Sequence, residues 1–158
     1  RIPVSLLRLV PQGRLRYNKD LDMTIEDYTR FKDIVNSLKE KRAKLRLGSP
    51  YSCLSPNKVN CCSAGKNKLL IGPNGDVYPC EAFKTIFRGK TANINKSNLK
   101  EIWFKDPTLN SIREVSVNQI ENCNRCKHST HCMGGCHGQR LIANGSLAIG
   151  PDPICSIK

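Results

Sequence analysis

The chain has 158 residues, of which 39% are hydrophobic, a size that suits about one domain with a modest core. The sequence contains no run of about 18 apolar residues and no secretory signal, so we expect a cytoplasmic protein without a membrane-spanning segment. The formal net charge of +13 would suit a nucleic-acid partner. Aromatic residues make up only 6%, however, and none lies within the basic run at residues 39–46, which argues against nucleic acid.

The first fifty residues predict a strand, a helix and a second strand. Residues 2–10 predict a buried strand, and residues 45–47 a short one. The helix is expected to start near Thr24, because Thr24 and Asp27 resemble a capping box. Its apolar positions repeat with a period of 3.6 residues: Ile25, Tyr28, Phe31, Ile34, Val35 and Leu38. Two parallel strands cannot bury both faces of a sheet, so we expect residues 1–50 to be the end of something larger.

The rest of the chain is rich in glycine, cysteine and turns, which predicts an α+β domain with a β-hairpin and short helices. The hairpin is expected at residues 68–71 and 76–78, around the Asn74-Gly75 turn. Short helices are predicted after a cap at Ser97, at Asp106-Pro107, and before a stop at Asn144-Gly145. The hairpin would bring Cys62, which precedes it, close to Cys80, which follows it.

Nine cysteines carry the main functional indication. Seven of them form the ordered pattern C-x12-G-x4-C, gap, C-x2-C-x5-C-x3-C, gap, C. The odd total and the metal-ligand spacings argue against a disulfide framework. Clustered thiolates select iron–sulfur clusters or zinc. A zinc-binding module that contacts nucleic acid or protein is the alternative, although the x5 and x3 spacings suit it poorly.

The cysteine pattern resembles the SPASM domain of radical S-adenosylmethionine enzymes. The neighbouring sequence agrees, in the segments Cys62-Ser-Ala-Gly65, Gly75-Asp-Val-Tyr-Pro-Cys80, Ala92-Asn-Ile94, Leu99-Lys-Glu-Ile-Trp103 and Gly134-Gly-Cys136. The resemblance covers residues 51–158. It implies that residues 1–50 are the last strand–helix–strand of the partial α/β barrel that precedes this domain in such enzymes.

The resemblance further implies two auxiliary 4Fe–4S clusters. The first would be bound by Cys62, Cys80 and Cys136 with one upstream cysteine, and the second by Cys123, Cys126, Cys132 and Cys155. The upstream ligand is either Cys53, nine residues before Cys62, or the adjacent Cys61. We favour Cys53, because consecutive cysteines rarely bind one cluster without strain. Each cluster with its thiolates carries about −2, so two would reduce the charge of +13 to about +9.

The function implied is modification of a peptide or protein substrate, by oxidation or by thioether or carbon–carbon bond formation. The clusters would carry electrons or bind substrate, with an external donor or acceptor such as ferredoxin or flavodoxin. Glu81 stands where sulfatase-maturing relatives have the aspartate implicated as base, so it is the candidate catalytic base, buried beside the first cluster. His128, His131 and His137 could donate hydrogen bonds to cluster sulfur, although a surface position is expected for two of them.

One departure from the enzyme pattern concerns radical generation. That chemistry requires a CxxxCxxC motif, and Cys132-x3-Cys136 is followed by Gln139 where the third cysteine would stand. We therefore expect S-adenosylmethionine and a third 4Fe–4S cluster to be bound in an upstream region. This chain by itself is not expected to be a competent enzyme.

Overall fold

The N-terminal part forms a strand–helix–strand unit. The computed structural model describes residues 2–41, 43–47 and 62–156. Strands β1 (Val4–Leu6) and β2 (Leu45–Leu47) are parallel, and helix α1 (Ile25–Glu40) connects them. The predicted order of elements is confirmed. Cys53 and Cys61, and the proposed domain boundary after residue 50, lie outside the described residues.

Helix α1 begins where its cap predicts. The Thr24 hydroxyl accepts a hydrogen bond from the Asp27 backbone N–H at 3.1 Å, and the Asp27 carboxylate accepts one from the Thr24 N–H at 3.0 Å. These reciprocal bonds satisfy two of the backbone donors that a helix start leaves unpaired. The capping-box prediction is therefore confirmed.

The predictions of a buried strand at residues 2–10 and of a continuous apolar face on α1 were wrong for several side chains. Within α1, Tyr28 and Val35 are buried, whereas Ile34 is exposed. Residues 2–10 form only a three-residue strand, and Leu7 beyond it is 76% exposed. The physical reason is that the described sheet has two strands, so one layer of packing leaves apolar side chains uncovered.

The predicted hairpin is present, with shorter strands. Strands β3 (Leu70–Ile71) and β4 (Val77–Tyr78) are antiparallel. The Gly72 N–H donates to the Asp76 carbonyl at 2.8 Å, which closes the turn between them. Gly75 has φ +88°, and a Cβ there would lie within 2.7 Å of the Asn93 and Asn95 amides. Glycine is therefore needed at this position both for backbone conformation and for space.

Among the described residues, four short helices follow the hairpin: α2 (Leu99–Lys105), α3 (Pro107–Arg113), α4 (Ser129–Cys132) and α5 (His137–Asn144). The cap of α2 is Asn98, not the predicted Ser97, because the Asn98 amide oxygen reaches the Glu101 N–H at 2.8 Å. The cap of α3 is Asp106, as predicted.

The buried core is divided into small clusters rather than one large one. Cys62 packs with Phe83 and Ile112, and Tyr28 of α1 packs against Ile154 near the other end of the chain. The second contact joins the strand–helix–strand unit to the cysteine-rich part. Within the residues described, no helix is long and apolar enough to cross a membrane.

Candidate metal centre

The first cysteine group is assembled by the hairpin and by the start of α5. Cys62 and Cys80 meet in one core cluster, as the hairpin predicts. Burial, with a smaller contribution from a charge on nearby Cys62, raises the pKa of Cys136 to about 12. Burial also raises the pKa of Cys80, again with a contribution from Cys62. Cys62 therefore lies within electrostatic reach of both other thiols.

The second cysteine group surrounds a small cavity of about 20 Å³. Cys123, Cys132 and Cys155 line it, together with Gly134 and Asp152. Burial raises the pKa of Cys123 to about 11, and charges on Cys132, Cys155 and Cys126 also raise it. The four thiols predicted for the second cluster thus lie close together. They come from a segment of 33 residues, 123–155.

Six cysteines within residues 62–156 are free thiols: Cys62, Cys80, Cys123, Cys126, Cys132 and Cys136. In that part of the chain, no three His, Cys, Asp or Glu side chains converge on the position of a single metal ion. Tetrahedral zinc would hold thiolate sulfurs about 3.8 Å apart. A 4Fe–4S cluster binds each thiolate through a different iron, so it requires a wider arrangement than one ion does.

Asp152 connects the two cysteine groups. Its carboxylate accepts hydrogen bonds from the Cys136 N–H at 2.7 Å and from the Ile154 N–H at 3.1 Å, next to Cys155. It also accepts two from the Arg8 guanidinium, at 2.7 and 2.5 Å. Burial alone would lower the pKa of Arg8, but the hydrogen bond to Asp152 and its charge raise it overall. Sequence reasoning missed this role, and the available indication was an aspartate between two prolines before Cys155.

Arg140 is a second residue that sequence reasoning missed. Its side chain is 0% exposed. The Nε atom donates to the Leu147 carbonyl at 2.8 Å and Nη1 to the Gly134 carbonyl at 2.5 Å. Burial lowers the pKa of Arg140, and charges on Cys123, Asp152, Cys62 and Cys136 oppose that change. A thiol of each group therefore lies within electrostatic reach of one guanidinium.

Two buried nitrogen atoms beside the cysteines have no hydrogen-bond partner among the residues that the structure describes. They are Nη2 of Arg140 and Nδ1 of His137. Burial lowers the pKa of His137 to about 4, with the charges of Arg140 and Lys66 adding to the effect, so its ring is neutral at pH 7. An unpaired buried charge is costly, and an anionic group with sulfur acceptors would compensate it. The thiols and the unpaired Nη2 donor of Arg140 together fit an anionic iron–sulfur cluster.

The other two histidines and Glu81 are more exposed to solvent than His137. His131 is exposed and His128 is half-buried, in line with the surface position expected for two of the three. The burial expected for Glu81 was wrong, because the 3₁₀ turn Glu81–Phe83 directs Ala82 and Phe83 inward and leaves Glu81 exposed. Glu81 lines an open cavity of about 640 Å³ that Tyr78, Lys84 and Arg88 also line.

Comparison with known proteins places these observations in a family context. Residues 61–127 match the SPASM family model, described as an iron-sulfur cluster-binding domain. The chain is 32% identical over 99 residues to a PqqA peptide cyclase of Methylocella silvestris, covering 61% of this chain and 26% of the relative. It is 33% identical over 98 residues to the mycofactocin maturase MftC of Mycobacterium ulcerans, with the same coverage. The chain thus spans about a quarter of the length of these relatives.

Solved structures share the fold. Streptococcus suis SuiB bound to the precursor peptide SuiA superposes with a TM-score of 0.62 at 22% identity, covering 86% of this chain and 34% of SuiB. SuiB bound to S-adenosylmethionine superposes with a TM-score of 0.60 at 24% identity.

Proposed function

The chain resembles the C-terminal part of radical S-adenosylmethionine enzymes that carry a SPASM domain, and from this premise we propose that it binds two auxiliary 4Fe–4S clusters. The observation that carries the proposal is the assembly of the cysteines into two groups, with the unpaired Nη2 of the buried Arg140 near both. When bound, such clusters accept and release single electrons. The chain's own part is to hold them and to exclude water from them.

The proposed ligands follow the two groups. Those of the first cluster are Cys53, Cys62, Cys80 and Cys136, with Cys61 as the alternative to Cys53, and those of the second are Cys123, Cys126, Cys132 and Cys155. Cys136 directly precedes α5, while Cys132 ends α4, so the short Met133–Gly135 turn separates ligands of different clusters. Gly134 and Gly135 have φ +81° and +71°, which allows this abrupt turn.

Residues 1–50 are proposed to be the end of the partial barrel, and residues 51–158 the auxiliary-cluster domain. The parallel β1–α1–β2 unit supports the first assignment, because it is the repeating unit of such barrels. The 86% coverage of this chain by the SuiB superposition supports a continuous arrangement of both parts. S-adenosylmethionine and a third cluster would bind upstream, so this chain by itself would not start radical chemistry.

The proposed substrate is a peptide or protein. Relatives are named peptide cyclase and maturase, and SuiB has been solved with a precursor peptide. The net positive charge, about +9 with both clusters bound, would attract an acidic peptide. Oxidation, thioether formation and carbon–carbon bond formation are the reactions considered, with ferredoxin or flavodoxin as electron partner in the cytoplasm.

Cluster content tests the proposal directly. Anaerobically purified protein should be brown, and the two auxiliary clusters should contribute about eight iron and eight sulfide per chain. The alternative is a zinc-binding module that contacts nucleic acid or protein. A colourless protein with two zinc ions per chain would establish that alternative and overturn the proposal.

Glu81 is proposed as the base that takes a substrate proton. Its exposure to the open cavity supports this role, because a base must be within reach of its substrate. In the full-length enzyme, Glu81→Gln should keep its iron content and lose about 10²-fold or more in turnover. Glu101→Gln is the matched control, since Glu101 is an exposed glutamate on α2 that pairs with Lys105 at 3.3 Å. Unchanged turnover in Glu81→Gln would remove it from the mechanism.

A further inference from the structure

Arg140 is a buried residue that lies next to both cysteine groups. Its Nη1 bonds the carbonyl of Gly134, which lines the cavity of the second group. Its backbone N–H donates to the carbonyl of Cys136, which belongs to the first group. The residue therefore contacts the walls of both groups while being closed off from solvent.

The guanidinium charge has no side-chain counter-ion in direct contact within the described part of the chain. Its hydrogen bonds go to two neutral carbonyls, and Nη2 has no partner. Asp152 is the one carboxylate among the described groups whose charges act on Arg140, but it is bonded to Arg8, Cys136 and Ile154. Arginine does not give up its proton in proteins, so the charge has to be compensated in another way.

Two anionic clusters would provide that compensation. Each 4Fe–4S core with four thiolates carries about −2, and the cysteines of both groups lie near Arg140. We propose that Arg140 is a counter-charge shared by both auxiliary clusters and that it raises the reduction potential of each. This inference rests on the proposed function, because it requires both clusters to be present.

The direction of the effect follows from electrostatics. Reduction makes a cluster more negative, so a fixed positive charge nearby favours the reduced state, most strongly in a buried site of low dielectric. Removal of the charge should lower the potential of both clusters, because Arg140 adjoins both groups. A residue that merely filled space would leave the potentials where they are.

The test compares Arg140→Gln and Arg140→Lys with the wild-type holoprotein. Glutamine can still donate a hydrogen bond but has no charge, whereas lysine keeps the charge with fewer donors. Arg113→Gln is the matched control, because Arg113 is a partly buried arginine that donates to the carbonyls of Gly65 and Trp103 and, like Arg140, has an unpaired Nη2. Midpoint potentials are measured by EPR-monitored reductive titration. Loss of individual signals in Cys80→Ala and Cys126→Ala identifies the two clusters.

We expect lower potentials for both clusters in Arg140→Gln, values near wild type in Arg140→Lys, and no change in Arg113→Gln. Unchanged potentials in Arg140→Gln with full iron content, or equal shifts in both Arg140 variants, would overturn the inference while leaving the proposed function intact. If Arg140→Gln cannot assemble its clusters, retention of both by Arg140→Lys supports the role of the charge, and loss by both variants contradicts it. Wild-type protein without iron would overturn both proposals.

Discussion

Arg8 and Asp152 lie 144 residues apart in the chain and form a buried, two-pronged ion pair. The pair joins the segment after β1 to the loop that carries Cys155. The same carboxylate accepts the N–H of Cys136, in the first cysteine group, and the N–H of Ile154, which adjoins Cys155 of the second group. The strand–helix–strand unit and the cysteine-rich part are thereby fastened together by a charged contact as well as by the packing of Tyr28 on Ile154.

Loss of Asp152 should destabilise the protein strongly. Asp152→Ala leaves the Arg8 charge buried without its partner and removes the acceptor of two backbone N–H groups, and breaking a buried pair in this way costs about 3–5 kcal/mol. Arg8→Met should cost less, because Asp152 keeps those two N–H donors. Anaerobic denaturant titration measures both free energies of unfolding.

The exposed pair of Lys105 and Glu101 provides the control for this comparison. Its atoms lie 3.3 Å apart on one face of α2, and Lys105→Met should change the free energy of unfolding by about 0.5 kcal/mol or less. Equal effects of Asp152→Ala and Lys105→Met would show that the buried pair is not important for stability.

Gly135 is expected to be irreplaceable because of its neighbour rather than its backbone alone. It has φ +71°, and a Cβ would lie 2.5 Å from the Asp152 carboxylate. Gly145 has φ +70° with nothing within 4 Å, so it offers the same backbone conformation in open space. Both alanine variants should lose about 1–2 kcal/mol from left-handed strain. Gly135→Ala should lose more, together with iron, because it displaces Asp152.

Thermal unfolding and iron analysis of Gly135→Ala and Gly145→Ala test this prediction. Similar melting temperatures and full iron content in Gly135→Ala and Gly145→Ala would mean that Asp152 tolerates the extra methyl group.

The raised pKa of Tyr78 predicts that the protein loses stability at alkaline pH. Burial raises the pKa of Tyr78, and the hydrogen bond of its hydroxyl to the Asp76 carboxylate at 3.1 Å raises it further. Because the folded-state pKa lies above the unfolded value of about 10, the contribution is complete below pH 10 and is lost as the pH rises through the folded value. Denaturant titrations at pH 7, 9.5 and 11 should show this decline.

Tyr78→Phe removes the titrating group while keeping the ring. The variant should lose about 1 kcal/mol at pH 7, the usual contribution of one hydrogen bond, and should decline less steeply than wild type above pH 10. Parallel pH profiles for the two proteins would contradict the prediction.

The choice between Cys53 and Cys61 is open to direct measurement. We predict that Cys53→Ala loses the first cluster, about four iron per chain, while Cys61→Ala retains it. Iron analysis and EPR of the anaerobically purified variants give the answer. Retention in Cys53→Ala with loss in Cys61→Ala would reverse the assignment.

Short-range sequence rules accounted for the local structure with few errors. The capping box at Thr24, the start of α3 after Asp106 and the hairpin turn at Gly75 each depend on residues within a few positions of one another. Such bonds form whatever the rest of the fold does, so pattern reading can find them. The error at Ser97 concerns one position, where the neighbouring Asn98 made the same kind of bond.

The burial of long stretches could not be read in the same way. An apolar segment predicts burial only if some other element covers it, and Leu7 and Ile34 are exposed in the described structure. The sequence also failed to predict that Glu81 is exposed. Its position after Cys80 was known from the sequence, but the direction of its side chain is set by the 3₁₀ turn and by the packing of Phe83.

The sequence by itself determined the cysteine spacing and the local turns that position the thiols, because these depend on residue type and short separations. Only the tertiary structure decided that Asp152 receives Arg8 from the other end of the chain, and that Arg140 is buried beside both cysteine groups. The physical reason is that a buried charge acquires its partners from segments far apart in sequence. Those partners exist only once the whole chain has packed around it.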